Sequence, residues 1–192
     1  MRYAEGPARA VRGLAIISLA WSALTLAQSN PGSQPALGSS GAHQSLKTAL
    51  AFHVDRAPRL DGTLNDPMWL KATPVGGFLQ REPFEGQEPT ENTEVRILYT
   101  KNAVFFGVTC FDSNPAGIVA TELRRDVSQE LDDYFEIIID SAHDRRNAYV
   151  FQVNPLGTQR DALITEEQRT ESSLGDGDSG WDGVWTSQAR IS

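Results

Sequence analysis

The chain lacks the features that define several large classes of protein. It contains one cysteine, Cys110, so no disulfide can form within it. Lysine and arginine number 17 against 25 aspartates and glutamates, and an acidic chain without a basic stripe is a poor ligand for phosphate backbones. After residue 27 no segment is apolar enough to be a second membrane-spanning helix. The sequence therefore excludes a disulfide framework and a DNA- or RNA-binding function.

Catalytic motifs are also scarce. The three histidines, His43, His53 and His143, have no serine or cysteine motif of the nucleophile type nearby. Glu136 and Asp140 suggest the carboxylate pair of a glycosidase. Four residues along one strand separate them by about 13 Å, which exceeds the roughly 5 to 9.5 Å of such pairs. We therefore expect no enzymatic activity.

The N-terminus has the pattern of a secretory signal peptide. Three arginines in residues 1–12 precede an uncharged, mostly apolar run at 13–27 that ends in Thr25, Leu26 and Ala27. The run is shorter than the roughly twenty residues of a membrane span, and its small terminal residues suit cleavage before Gln28. Cleavage would change the formal net charge from -8 to about -10. We expect export to the periplasm, the outer membrane or the extracellular space; an uncleaved anchor helix is the alternative.

Composition divides the rest of the chain in two. Residues 28–50 are rich in proline, glycine, serine and glutamine, which predicts a flexible linker. Residues 51–192 then form one domain of about 140 residues, enough for a hydrophobic core without covalent staples. The final stretch, 181–191, has the pattern of a strand, and the chain stops inside it. We therefore expect a domain truncated at its C-terminus.

Residues 131–154 predict the hairpin at the centre of this domain. Apolar residues alternate on both sides of a polar loop at 141–146, as in two antiparallel strands. On the first strand, Phe135, Ile137 and Ile139 share one face, which we assign to the core. The other face carries Glu136, followed on the second strand by Gln152 and Asn154. Such a surface suits a polar ligand, or a sheet half covered by a loop.

Further alternating runs predict strands at 51–54, 78–80, 93–99, 103–111, 158–164 and 181–191. A short helix is expected at 63–70, capped by Asn65 or Asp66, with Pro67 in its first turn. Trp69 on this helix is expected in the core, the alternative being a sugar platform. We expect Cys110 to be buried as a small hydrophobic residue. Weak helical structure is expected at 116–130, and a mobile loop at 166–180. Together these elements predict an all-β protein, an antiparallel β-sandwich.

Several short motifs occur along the domain in this order: Leu-Asp-Gly-Thr-Leu-Asn-Asp-Pro-Met-Trp at 60–69, Thr-Glu-Val-Arg-Ile-Leu-Tyr at 93–99, Phe-Gly-Val at 106–108, Arg-Asp at 125–126, Phe-Glu-Ile-Ile-Ile-Asp at 135–140, Phe-Gln-Val-Asn-Pro-Leu-Gly at 151–157 and Trp-Asp-Gly-Val-Trp at 181–185. Their order resembles the family 9 carbohydrate-binding modules, and most closely the branch found at the N-terminus of bacterial outer-membrane β-barrel proteins of unknown function. The resemblance runs from about Phe52 to the end of the chain. It implies a jelly-roll-like β-sandwich that lacks its last strands here.

The resemblance also implies a binding site. Sugar-binding members hold a sugar between two tryptophans and bind its hydroxyls with polar side chains, and their glutamate and asparagine match Glu136 and Asn154. At the position of an arginine in the family pattern this chain has Gln152, and at the position of the first platform tryptophan it has Glu130. The second platform lies in a segment that this chain lacks, so Trp185 is the remaining candidate for an aromatic wall.

Structural calcium also occurs in similar modules. The acidic residues Asp132, Asp133, Asp140, Asp144 and Asp161 supply hard oxygen donors. Of these, Asp133, Asp140 and Asp144 are the candidate metal ligands. A solvated acidic rim is the alternative, since no loop spacing defines a particular cage.

The function expected from the sequence is that of a non-catalytic carbohydrate-binding domain of an exported bacterial protein, associated with polysaccharide binding or catabolism. Its partner would be a polysaccharide or oligosaccharide. The alternative is an accessory domain that contacts protein, namely a β-barrel expected in the intact protein, and binds no sugar.

Overall fold

The computed structural model describes residues 14–16, 47–166 and 177–192, and within them the chain is built almost entirely from strands. Most of the predicted signal peptide and linker, and residues 167–176 of the predicted mobile loop, lie outside the described residues. The strands are β1 (Leu14–Ile16), β2 (Ala51–His53), β3 (Thr93–Tyr99), β4 (Val104–Cys110), β5 (Phe135–Ile139), β6 (Ala148–Val153) and β7 (Gln159–Ile164).

These strands form two sheets. One has the order β1-β5-β6-β7, and the other has the order β2-β3-β4. The central hairpin pairs β5 with β6 in the predicted antiparallel sense, with Glu136 opposite Gln152. The hairpin of β3 and β4 also forms as predicted. The all-β prediction is confirmed at this level.

The prediction that every strand pair is antiparallel is wrong. β2 runs parallel to β3, and β1 runs parallel to β5. Strand direction between distant segments depends on how the intervening chain returns, which an alternating pattern does not encode. The β1 segment lies inside the predicted signal peptide.

Four further predictions fail among the described residues. No strand forms at 78–80, because Gln80 closes a loop by bonding Gln87 and Gly86. No strand forms at 181–191 either, although burial still alternates there. Helical structure near 116–130 is limited to one short 3-10 turn, Pro115–Gly117. Cys110, at the end of β4, is exposed rather than buried.

The predicted short helix is a 3-10 helix at Pro67–Lys71, and its start is set by its sequence. Asp66 is the N-cap and accepts a hydrogen bond from the backbone N-H of Met68 at 3.0 Å. Pro67 occupies the first turn, where a backbone N-H would have no acceptor within the helix, so the N-H that proline lacks is not needed. The helix carries Trp69 into the core, where the side chain is only 2% exposed. The prediction that Trp69 is a core residue is confirmed.

Trp69 packs in a cluster with Val54, Ala72 and Leu98. Gly107 on β4 lies beneath the indole ring, and a Cβ atom there would lie 2.8 Å from two ring carbons of Trp69. The absence of a side chain at residue 107 therefore makes room for the largest side chain in this core.

A second cluster lies on the other sheet. It contains Ile138, Val150, Ala162 and Ile164, all on one face of β5, β6 and β7. On the opposite face Ile137 is buried, and Phe135 and Ile139 are half-buried. Both faces of this sheet are thus at least partly covered, whereas the sequence assigned the core to the Ile137 face. Among the described residues no helix is long and apolar enough to span a membrane.

Candidate functional site

Three polar side chains form a row across the sheet of β5, β6 and β7. The register places Glu136 beside Gln152 and Gln152 beside Arg160, so all three project from one face. Gln152 Nε2 donates to Glu136 Oε2, and Arg160 Nη1 donates to Gln152 Oε1 at 3.1 Å. We call this set the polar row. It brings together two of the predicted ligand-binding residues and adds Arg160, which the sequence analysis missed.

Exposure changes along the polar row. Gln152 is 7% exposed and Arg160 is 9% exposed. Glu136 is half-buried, so its carboxylate is the most accessible group of the three. A ligand therefore reaches the row most readily at the Glu136 end, where the available chemistry is hydrogen-bond acceptance by a carboxylate.

Asn154 follows the same strand but organises a turn. Its Oδ1 accepts the backbone N-H groups of Leu156 and Thr158, and its Nδ2 donates to the carbonyl of Glu122 and to Asp132. These four bonds use the full hydrogen-bonding capacity of a side chain that is 1% exposed. The structure thus places Asn154 in a turn rather than at an accessible ligand surface.

Asp132 is the carboxylate that ties this turn to the preceding loop. It is 6% exposed and accepts four hydrogen bonds, from the backbone N-H and hydroxyl of Thr121, the backbone N-H of Glu122 and the amide of Asn154. Burial alone would raise the pKa of Asp132, but these donors outweigh it and lower the pKa from 3.8 to about 2. The ionised form is therefore favoured in the folded state.

We expect Asp132→Asn to lower the free energy of unfolding by about 2 kcal/mol at neutral pH, because the new NH₂ group faces donors. Since the pKa of Asp132 is lowered on folding, the stabilisation is present above the unfolded value of 3.8 and is lost as pH falls toward about 2. Urea unfolding across this acid range should show a smaller loss of stability in the variant. The control is Asp112→Asn, at an exposed aspartate. Equal acid dependence in wild type and Asp132→Asn would contradict this assignment.

Trp185 lies on the opposite face of the sheet from the polar row. Its ring contacts Phe151 in an edge-to-face arrangement with centroids 5.2 Å apart. Trp181 contacts the same Phe151 at 5.9 Å and Tyr149 at 4.8 Å. Because Phe151 alternates with Gln152 along β6, the structure does not bring Trp185 together with Glu136 or Gln152. Trp185 instead belongs to an aromatic cluster with Trp181, Tyr149 and Phe151.

An ionic network that the sequence analysis missed lies beside this cluster. Asp161 on β7 is fully buried, and its Oδ1 is 3.0 Å from Nη2 of Arg125. Arg125 also binds Asp182 at 2.6 Å and Asp126 at 3.1 Å. The backbone N-H of Gly183 donates to the other oxygen of Asp161. Arg125 and Asp161 thus join three distant segments of the chain.

The remaining predicted site residues are dispersed. Glu130 is exposed in the loop before β5. Asp133 accepts the backbone N-H of Val119, whereas Asp140 and Asp144 accept backbone N-H groups within the loop between β5 and β6. Across the described ranges, no group of three or more histidine, cysteine, aspartate or glutamate side chains is arranged to hold a metal ion. Structural calcium stays a prediction.

Comparison with family models, curated proteins and solved structures finds no match for this chain.

Proposed function

We propose that this chain is a non-catalytic carbohydrate-binding domain of an exported protein, with a β-sandwich of the family 9 type. The observation that carries the proposal is the polar row, in which a half-buried carboxylate lies at the accessible end of a hydrogen-bonded chain across three strands. Sugar hydroxyls are donors as well as acceptors, and a carboxylate is a strong acceptor for them. The order of the sequence motifs and the two-sheet all-β architecture agree with this function.

The proposal assigns Glu136 the direct contact with the sugar. Gln152 is a supporting residue, because both ends of its amide are already bonded to its neighbours in the row. Asn154 supports the adjoining turn. Neither Trp181 nor Trp185 lies on the face of the polar row. Without their aromatic surface we expect weak sugar binding, with a dissociation constant of about 1 mM.

We expect Glu136→Gln to weaken binding of xylo- or cello-oligosaccharides about tenfold or more. A hydrogen bond to a charged acceptor contributes about 1.5 to 3 kcal/mol, and the variant keeps the shape of the side chain while removing the charge. Calorimetry and NMR titration measure the change. The matched control is Glu94→Gln on β3, whose side chain is 43% exposed and lies on the other sheet.

A second candidate is an accessory domain that contacts a neighbouring protein domain and binds no sugar. The observation that favours it is the exposure of large apolar side chains: Leu131 is 84% exposed and Leu123 is 75% exposed. If neither xylo- nor cello-oligosaccharides give heat or NMR shifts at saturating concentration, the carbohydrate proposal is wrong and this candidate replaces it.

A further inference from the structure

The chemistry of its neighbours fixes the orientation of the Gln152 amide. Arginine can only donate hydrogen bonds, and an ionised glutamate can only accept them. The oxygen of Gln152 must therefore face Arg160 and its NH₂ group must face Glu136, which is the arrangement observed. The hydrogen bonds of the polar row thus run in one direction, from the guanidinium to the carboxylate.

Burial separates the roles of the two charged ends. Arg160 is 9% exposed and lies one strand beyond Gln152, so its guanidinium is poorly placed to touch a ligand. Its positive charge instead polarises the Gln152 amide, and consecutive hydrogen bonds in a low-dielectric environment strengthen one another. Without Arg160, the oxygen of Gln152 would lose the donor at 3.1 Å while remaining buried.

We propose that Arg160 is a positioning residue that acts through Gln152 to hold the Glu136 carboxylate as a fixed hydrogen-bond acceptor. This inference rests on the proposed carbohydrate-binding function and extends it. Because Glu136 presents only acceptors at the accessible end of the row, the ligand group bound there must be a donor. A neutral sugar with free hydroxyls meets that requirement, whereas a uronic acid brings a second negative charge toward Glu136.

The test compares three substitutions of Arg160 by NMR titration with neutral xylo-oligosaccharides and with oligogalacturonate. Arg160→Met removes both donor and charge, so affinity for the neutral sugar should fall about tenfold. Arg160→Lys keeps both and should retain most of the affinity, and Arg160→Gln keeps a donor alone and should be intermediate. The matched control, Arg96→Met, removes a half-buried arginine on β3 of the other sheet, whose guanidinium donates to the carbonyl of Ala72 after the 3-10 helix. It should leave binding unchanged.

A second readout does not depend on sugar binding. The side-chain NH₂ resonances of Gln152 should report one strongly hydrogen-bonded proton in wild type and in Arg160→Lys, and should lose that signature in Arg160→Met. An unchanged signature in Arg160→Met overturns the positioning role even if sugar binds. If wild type binds no sugar but the signature behaves as expected, the proposed function fails and the positioning of Gln152 stands.

Binding results overturn the inference in two ways. One is an Arg160→Met variant that binds as tightly as wild type, and the other is oligogalacturonate binding as tightly as the neutral sugar. Should Arg160→Met fail to fold, the comparison of Arg160→Lys with Arg160→Gln decides. Equal affinity and equal Gln152 signatures in those two variants contradict a role for the charge of residue 160.

Discussion

Arg125→Met should lower the free energy of unfolding by about 3 kcal/mol. The change leaves Asp161 fully buried without the cation that lies 3.0 Å from it, and breaking a buried ion pair by removing one partner costs about 3 to 5 kcal/mol. We take the lower end of that range because Arg125 is 40% exposed. Urea unfolding at neutral pH measures the loss.

Two companion variants separate this cause from a general loss of packing. Asp161→Asn keeps an acceptor for Gly183 and removes the buried charge, so Arg125→Met should cost much less when combined with it. Arg124→Met removes the neighbouring arginine, which is 76% exposed and pairs with Glu122, and should change stability by about 0.5 kcal/mol or less. Equal costs of Arg125→Met in the two backgrounds would argue against an ionic network.

The pH dependence of Arg125→Met follows from the same network. Burial raises the pKa of Asp161 above 3.8, while the N-H of Gly183 and the charge of Arg125 oppose the rise. Removing Arg125 raises that pKa further. A carboxyl whose pKa is raised on folding stabilises the folded state while it is protonated. That contribution to the free energy of unfolding is lost as pH rises through the folded pKa. The deficit of Arg125→Met should therefore be smaller at about pH 4 than at neutral pH.

Gly107→Ala should lower the free energy of unfolding by about 2 to 3 kcal/mol through overpacking. The new Cβ would lie 2.8 Å from two ring carbons of Trp69 and 2.9 Å from a methyl group of Leu64. Trp69 is 2% exposed and packed on all sides by its cluster, so its ring has little freedom to move away. Thermal and urea unfolding measure the loss.

The control for this change is Gly117→Ala, at an exposed glycine where the new Cβ meets only the flexible side chain of Asn114. It should be nearly neutral. Trp69→Phe provides a second check, because a smaller ring relieves the contact and makes the double variant with Gly107→Ala less destabilised than the sum of the single changes. Strict additivity, or a neutral Gly107→Ala, would show that the ring does not pack against residue 107.

Local patterns were sufficient to predict the elements that depend on neighbours in sequence. The alternation around residues 135–139 and 148–153 predicted the central hairpin because side-chain direction alternates along a strand and a short polar loop joins antiparallel partners. Asp66 and Pro67 predicted the start of the 3-10 helix because capping acts within one turn. The core position of Trp69 followed from the same helix.

Pairings between distant segments were not predictable in this way. The parallel pairing of β2 with β3 joins segments more than forty residues apart. Residues 181–191 keep the alternation of a strand but have no ladder partner among the described residues, and Trp181 and Trp185 pack by ring contacts instead. Alternation specifies which side chains turn inward but not which backbone will bond to the segment.

The polar row shows the same division. Glu136 and Gln152 were chosen from the resemblance and from their shared face in one hairpin, and the structure places them side by side. Arg160 was missed because its relation to Gln152 depends on the register of β7 against β6. Arg125 and Asp161 were missed because 36 residues separate them. The strand predicted at 158–164, combined with an explicit register, would have identified Arg160 as the neighbour of Gln152.

The carbohydrate-binding account is tested most directly by mapping NMR shifts during titration of the protein with a neutral xylo-oligosaccharide. The account predicts that the largest shifts fall on the backbone of Glu136 and the side-chain amide of Gln152, and that they saturate at a dissociation constant of about 1 mM. An absence of shifts, or shifts confined to Trp181 and Trp185 on the opposite face, would contradict it.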